Sequence, residues 1–95
     1  MRIGILSEID LQQIVLFADR LSEYKGAELK QSEKIKLAAS LYEISEEAKD
    51  VDKCVKKIGE FKNLFDMLDD IGKKTIISIA TGILSKIVLN LLGLV

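Results

Sequence analysis

The chain contains no proline, no histidine and no tryptophan, and only one cysteine, Cys54, among 95 residues. Each absence excludes something. Without proline, nothing in the sequence forces a helix to stop by removing a backbone donor. Without histidine, no side chain titrates near neutral pH at its ordinary value. With a single cysteine, an internal disulfide is impossible, which fits a reducing, cytoplasmic compartment. Aromatic residues make up 5% of the chain against 48% hydrophobic overall. The core must therefore be built from Ile, Leu, Val and Ala, and there is no stacking platform for single-stranded nucleic acid. Charge of one sign is also missing. Fourteen basic residues face fifteen acidic ones, so no broad field draws in a polyanion, and nucleic acid is not an expected partner.

The same absences bear on chemistry. No zinc or copper site is expected from one Cys and no His. The acidic pairs Glu46–Glu47 and Asp69–Asp70 could in principle hold a hard cation, but neighbouring helical residues point about 100° apart and no EF-hand loop is present. Cys54 has no histidine to activate it, and no serine sits in a nucleophile-elbow setting. Its neighbours Val51, Val55 and Ile58 mark it as a core thiol. The glycines at 4, 26, 59, 72, 82 and 93 match neither a phosphate loop nor a dinucleotide fingerprint. No catalytic, metal or cofactor-binding residue is assigned, no cofactor is expected, and the chain is not read as an enzyme.

What remains is helical periodicity. A chain of this length forms one domain, marginal as an isolated monomer. The expected fold class is all-α: a small bundle of three to four helices with a strongly apolar C-terminal helix. The first helix is expected over Glu8–Lys25, with Ser7 and Asp10 as a capping box and Leu6 stapled on Leu11. Leu11, Ile14, Val15, Ala18 and Leu21 form its stripe, widened by Leu16 and Phe17 towards more than one neighbour. Gly26 is a natural left-handed stop. The second helix, from Glu28 or Glu33 to Glu43 with Ser32 as a possible cap, buries Leu37, Ala38, Leu41 and Ile44.

The third helix is expected to open near Ser45 with Glu46–Glu47 in its first turn, where acids suit the dipole. Residues 44, 48, 51, 55 and 58 then follow a heptad-like seam, with Cys54 as the alternative to Val55, and the stripe continues through Phe61, Phe65 and Leu68. The next junction poses a conflict. Asp69–Asp70 at the end of one helix and Lys73–Lys74 at the start of another both oppose the macrodipole. One continuous helix through Gly72 removes the conflict and sets each Asp four residues before a Lys. A separate turn at Gly72 is the more ordinary alternative.

After Lys74 the composition changes: Lys86 is the only charge in residues 75–95. A helix from Thr75 to about Leu92 is read first as a central core helix wrapped by the other helices, alone or with a second subunit, although it also approaches the about 20 apolar residues that span a bilayer. Lys86 near its centre costs about 2.5–3.5 kcal/mol on insertion. Lys74, Ser78, Thr81 and Ser85 share one stripe, with Gly82 beside it. Ile76, Ile83, Leu84, Ile87 and Leu91 lie opposite. Ser78 and Gly82 have the small-x-x-x-small spacing that lets helices approach closely.

Three functions compete. The first is a non-catalytic interaction protein that binds itself or another protein through helix faces, with Ile76, Ser78, Gly82, Ile83, Leu84, Ile87 and Leu91 as the candidate interface. The second is a membrane-associated protein using residues 75–95 as a tail anchor or pore-type helix. The third is a small DNA-binding regulator: Ala38-Ala39-Ser40-Leu41 followed by Ile44-Ser45 resembles a helix-turn-helix, and Lys49, Lys53 and Lys56 form a basic line. Asp50, Asp52 and Glu60 interrupt the surrounding field, and a solvated, salt-bridged helix face is the better account of it. The opening Met1-Arg2-Ile3-Gly4-Ile5-Leu6 is too short an apolar run for a secretory signal before Glu8 and Asp10.

Overall fold

The computed structural model describes residues 6–94. The segment 1–5, read above for a signal, lies outside the described residues. Within them the protein is all-helical, with helix over 76% and no strands. Five helices follow one another: α1 Glu8–Glu23, α2 Gln31–Glu46, α3 Val51–Asp66, α4 Asp70–Ile83 and α5 Lys86–Leu91. That is more than the three or four expected, because the C-terminal segment is two helices.

The N-terminus of α1 follows the sequence. Ser7 Oγ accepts from the Asp10 amide, and the Asp10 carboxylate accepts from the Ser7 amide, each at 3.1 Å. Two donors that helix geometry leaves unpaired are thereby satisfied. The other end departs from expectation. The helix stops at Glu23, and Tyr24 leaves it in an extended conformation. Gly26 is not a left-handed stop. A Cβ there would lie 2.2 Å from the Tyr24 hydroxyl and 2.3 Å from the Glu28 carboxylate. A side chain there would displace the exposed Tyr24–Glu28 hydrogen bond, which passes over Gly26. The Tyr24 carbonyl at the helix end is met instead by the ammonium of Lys34, which is buried on α2.

Two further starts shift. Lys30, not Ser32, precedes α2 and makes no side-chain cap. Ser45 does not open α3. Its hydroxyl donates to the Tyr42 carbonyl at 2.7 Å, a backward bond that keeps it inside α2. Asp50 caps α3 by accepting from the Lys53 amide at 3.2 Å. Glu46 and Glu47 therefore end α2 and face its unfavourable pole.

The junction between α3 and α4 dissolves the charge conflict. The third helix ends at Asp66, three residues earlier than assumed. Asp69 is the cap of α4, accepting from the Gly72 amide at 2.7 Å, and Asp70 is its first residue. Both acids thus stand at a helix N-terminus, where they belong. A continuous helix through this point is excluded, and Gly72 lies buried inside α4 instead of forming a turn.

A second correction concerns residues 75–92. Leu84 adopts a left-handed conformation (φ 58°, ψ 36°) and ends α4. The chain turns at Ser85 and resumes as α5. Gly93, at φ 75°, closes α5. The Leu94 amide donates to Leu89 O and the Gly93 amide to Asn90 O, each at 3.0 Å. This six-to-one, five-to-two pair is a Schellman end, for which glycine is the favoured residue.

One core unites the helices. α1 packs on α2, α4 and α5; α2 packs on α3; α3 also meets α5. Ile14, Phe17, Ala18 and Leu21 from α1 join Leu37, Ala38, Leu41 and Ile44 from α2. Phe17 and Phe61 meet edge to face at 6.2 Å, a favoured aromatic geometry. On α3 the buried residues are Cys54, Ile58 and Phe61, while Val51 and Val55 stay 43% and 44% exposed. The heptad-like seam through 51 and 55 is therefore not the packing face. The radius of gyration is 12.2 Å, close to the roughly 12.4 Å typical of a packed chain this long.

Candidate interaction surface

The fourth helix has two unlike sides. Gly72, Ile76 and Ala80 recur every four residues and turn inward. Gly72 can do so because it carries no side chain: a Cβ there would stand 3.1 Å from Asp69 Oδ1 and 3.4 Å from Leu68 Cβ. The outer side presents Ile71, Lys74, Ser78, Thr81 and Gly82, all exposed. At Gly82 an added Cβ would meet nothing within 4 Å. Thr75 and Thr81 donate their hydroxyls to the carbonyls of Ile71 and Ser78, at 2.9 and 3.0 Å. Their hydrogen-bond donors are thus already used within the helix.

A shallow groove of about 280 Å³ runs along this side, lined by Tyr24, Glu28, Ile71, Lys74, Thr75, Ser78 and Ile79. One wall is the Tyr24–Glu28 pair. Their hydrogen bond holds the Tyr24 phenol above its ordinary pKa and the Glu28 carboxyl below its own. Glu28 is therefore a carboxylate at neutral pH that accepts from a protonated phenol. At the far end of the helix stands Leu84, 87% exposed; Ile71, at the near end, is 60% exposed.

The seven interface residues named from sequence divide into two sets. Ile76, Ile87 and Leu91 are buried within the chain's own core, and Ile83 is half-buried against it. Ser78, Gly82 and Leu84 face solvent. Ser85, placed on the same stripe as Ser78, is buried by the turn between α4 and α5. Ile71 was missed because it was assigned to a turn. The signal was available: Asp69-x-x-Gly72 is a helix start, which puts Ile71 two turns before Ser78.

Other features carry less. An open groove of about 520 Å³ along α1 is lined by Glu8, Leu11, Gln12, Val15, Leu16 and Asp19, and Asp19 is engaged by the Tyr42 hydroxyl. Leu11, Val15 and Leu16 are only half-buried there. Cys54 is 3% exposed, and burial pushes its thiol pKa up, opposite to the shift that activates a nucleophilic thiol. Among the described residues the ion pairs are those of Lys57 with Glu43 at 3.3 Å and Glu60 at 3.4 Å. Both lie at the surface, where such pairs contribute about 0–1 kcal/mol. The described residues hold no cluster of three metal-ligating side chains. None of their helices is long and apolar enough to cross a membrane, because the break at Leu84 divides the segment that sequence reading took as one.

Five helices around a mainly aliphatic core define the class of this protein among the described residues. No family model, characterised protein or solved structure matches the chain.

Proposed function

We propose that the protein is a non-catalytic helical interaction module, and that the outer face of α4 is where it binds a second copy of itself or another protein. The observation that carries this reading is Leu84. A non-glycine residue in the left-handed region costs roughly 1–2 kcal/mol. Leaving a leucine in water forgoes about 1.5–3 kcal/mol of burial. Leu84 is left-handed and 87% exposed. The burial of α5 beyond the turn offsets the backbone cost, but the leucine side chain itself is buried only if a partner covers it. Ile71, 60% exposed, is a second uncovered apolar side chain at the other end of α4, and the small residues Ser78 and Gly82 between them leave room for a helix to approach.

Sedimentation of the wild type and of Leu84→Asn tests the reading. Asparagine tolerates left-handed backbone, so the variant keeps the turn and removes the apolar group. The expected outcome is a wild-type mass above 10.6 kDa that falls towards the monomer in the variant. Association that is equally strong in both would reject this face. A monomeric wild type that floats with lipid vesicles would move the function to a membrane surface.

A further inference from the structure

We infer that α5 is exchangeable: two copies of the chain dimerise by straightening the break at Leu84–Ser85 and trading their α5 helices. The inference does not rest on the outer face of α4, so either can fail without the other. Leu84 and Ser85 alone separate α4 from α5. Leu84 is the one non-glycine residue at positive φ among the described residues. No proline or glycine sits at the break; Gly82 lies inside α4 and Gly93 beyond α5. The sequence across the break is thus competent for helix, and the left-handed bend is imposed on it.

The start of α5 is as poor as the bend. Ser7, Asp50 and Asp69 each cap their helices through a side-chain oxygen, whereas Ser85 makes no such bond. Lys86 is the first residue of α5, where the macrodipole disfavours a cation. Six residues are too few for a helix to hold by itself. What holds α5 is burial: Ile87, Val88 and Leu91 lie in the core, in a helix packed on α1 and α3 as well as α4.

Exchange keeps that burial and relieves the rest. In the swapped pair each α5 occupies the same α1 and α3 surface on the partner, so this bed is covered by the element already fitted to it. The fourth and fifth helices then form one helix over 70–91, about 33 Å long at 1.5 Å per residue. The carbonyls that end α4 and the amides that open α5 pair with each other, and Lys86 moves to a helix interior. Ile76, Ala80, Ile83, Ile87 and Leu91, three or four residues apart, fall on one side of that helix. Ile76 and Ala80 stay in their own core while Ile87 and Leu91 enter the partner's. Strain in a short hinge is what invites such exchange. The lost freedom of one chain opposes it, and rising concentration offsets that loss.

The experiment holds the wild type, Leu84→Gly and Leu84→Ala at rising concentration and separates monomer from dimer by size-exclusion chromatography, with thermal melts to confirm that each folds. Labelled and unlabelled wild-type chains, refolded together, then show by isotope-filtered NMR which chain each α5 touches. A wild-type dimer is expected, with contacts from the Ile87, Val88 and Leu91 methyls to α1 and α3 running between chains. Leu84→Gly relaxes the bend and weakens the straight helix, so its dimer is expected to be at least about tenfold weaker. Leu84→Ala keeps the left-handed cost and favours helix, so it is expected to dimerise at least as well as the wild type, whereas docking through the leucine side chain predicts a loss. A dimer whose α5 contacts all lie within one chain would overturn the inference and leave self-association through α4 standing. Loss of the dimer in Leu84→Ala would show that the side chain and not the hinge holds it, with the same consequence. A wild type that is monomeric at every concentration would remove both the inference and self-association.

Discussion

The first half of the chain is rich in charge yet buries polar groups; the last twenty residues have almost none yet expose apolar ones. Lys34 and Ser40 on α2 are 9% and 5% exposed, while Leu84 and Leu94 are 87% and 46% exposed. Hydropathy is thus a poor guide to burial here. Lys34 can be buried because its ammonium finds the Tyr24 carbonyl that ends α1. Leu84 is exposed because its backbone turns the chain there, swinging α5 inward to bury Ile87, Val88 and Leu91. The charge-poor segment holds both the most deeply buried and the most exposed leucines of the C-terminal region. Its apolar character serves two purposes, folding and, in our proposal, binding.

The comparison can be broken most severely within α4. Ile76→Ala is expected to destabilise the fold by about 2–4 kcal/mol, because Ile76 is fully buried and its removal leaves a cavity. Ile71→Ala, one and a half turns away, should stay within about 0.5 kcal/mol, as exposed substitutions do. Urea unfolding of the two variants reads the difference. Equal effects would mean that the two sides of α4 are not distinguished as the structure has them.

Next in size is Leu84→Gly. Glycine removes the left-handed cost, so the variant is expected to be more stable by about 1 kcal/mol, raising the melting midpoint by roughly 4–8 °C for a domain of this size. The same change should weaken association. Stability and binding moving in opposite directions would separate the fold's interest in residue 84 from the interface's. A lower midpoint would show that the leucine is held by contacts within the chain.

The smallest effect is expected in the charged half. Ser40 Oγ is buried with no hydrogen-bond partner, and an unsatisfied buried hydroxyl is a cost. Ser40→Ala should therefore be neutral or stabilising by up to about 1 kcal/mol. A clear loss in calorimetric melting would reveal a partner for that hydroxyl.

Legibility followed the range of the interactions involved. The Ser7–Asp10 box was readable because all its atoms lie within one turn of helix. The stripe of α2 was readable because Leu37, Ala38, Leu41 and Ile44 recur at three- and four-residue spacing, which leaves Ile35 and Ala39 off it. The phase of α3 was not. Cys54 and Val55 both suit a seam, and only packing against the rest of the core selects Cys54, Ile58 and Phe61. Of the candidate interface, Ser78, Gly82 and Leu84 lie on the exposed surface, while Ile76, Ile87 and Leu91 are taken up by the core. Sequence periodicity could gather them on one side of an ideal helix, but that helix is not continuous.

By itself, then, the sequence determined that this protein is helical, that its core is mainly aliphatic and that its first helix is capped by Ser7. Those outcomes depend on composition and on contacts three or four residues apart. Tertiary structure alone decided that the chain breaks at Leu84 and which apolar residues are left outside. The local backbone opposes that break, since a left-handed leucine is unfavourable. It is offset only by burying Ile87, Val88 and Leu91 in a core shared with α1 and α3, helices whose residues lie far away along the chain.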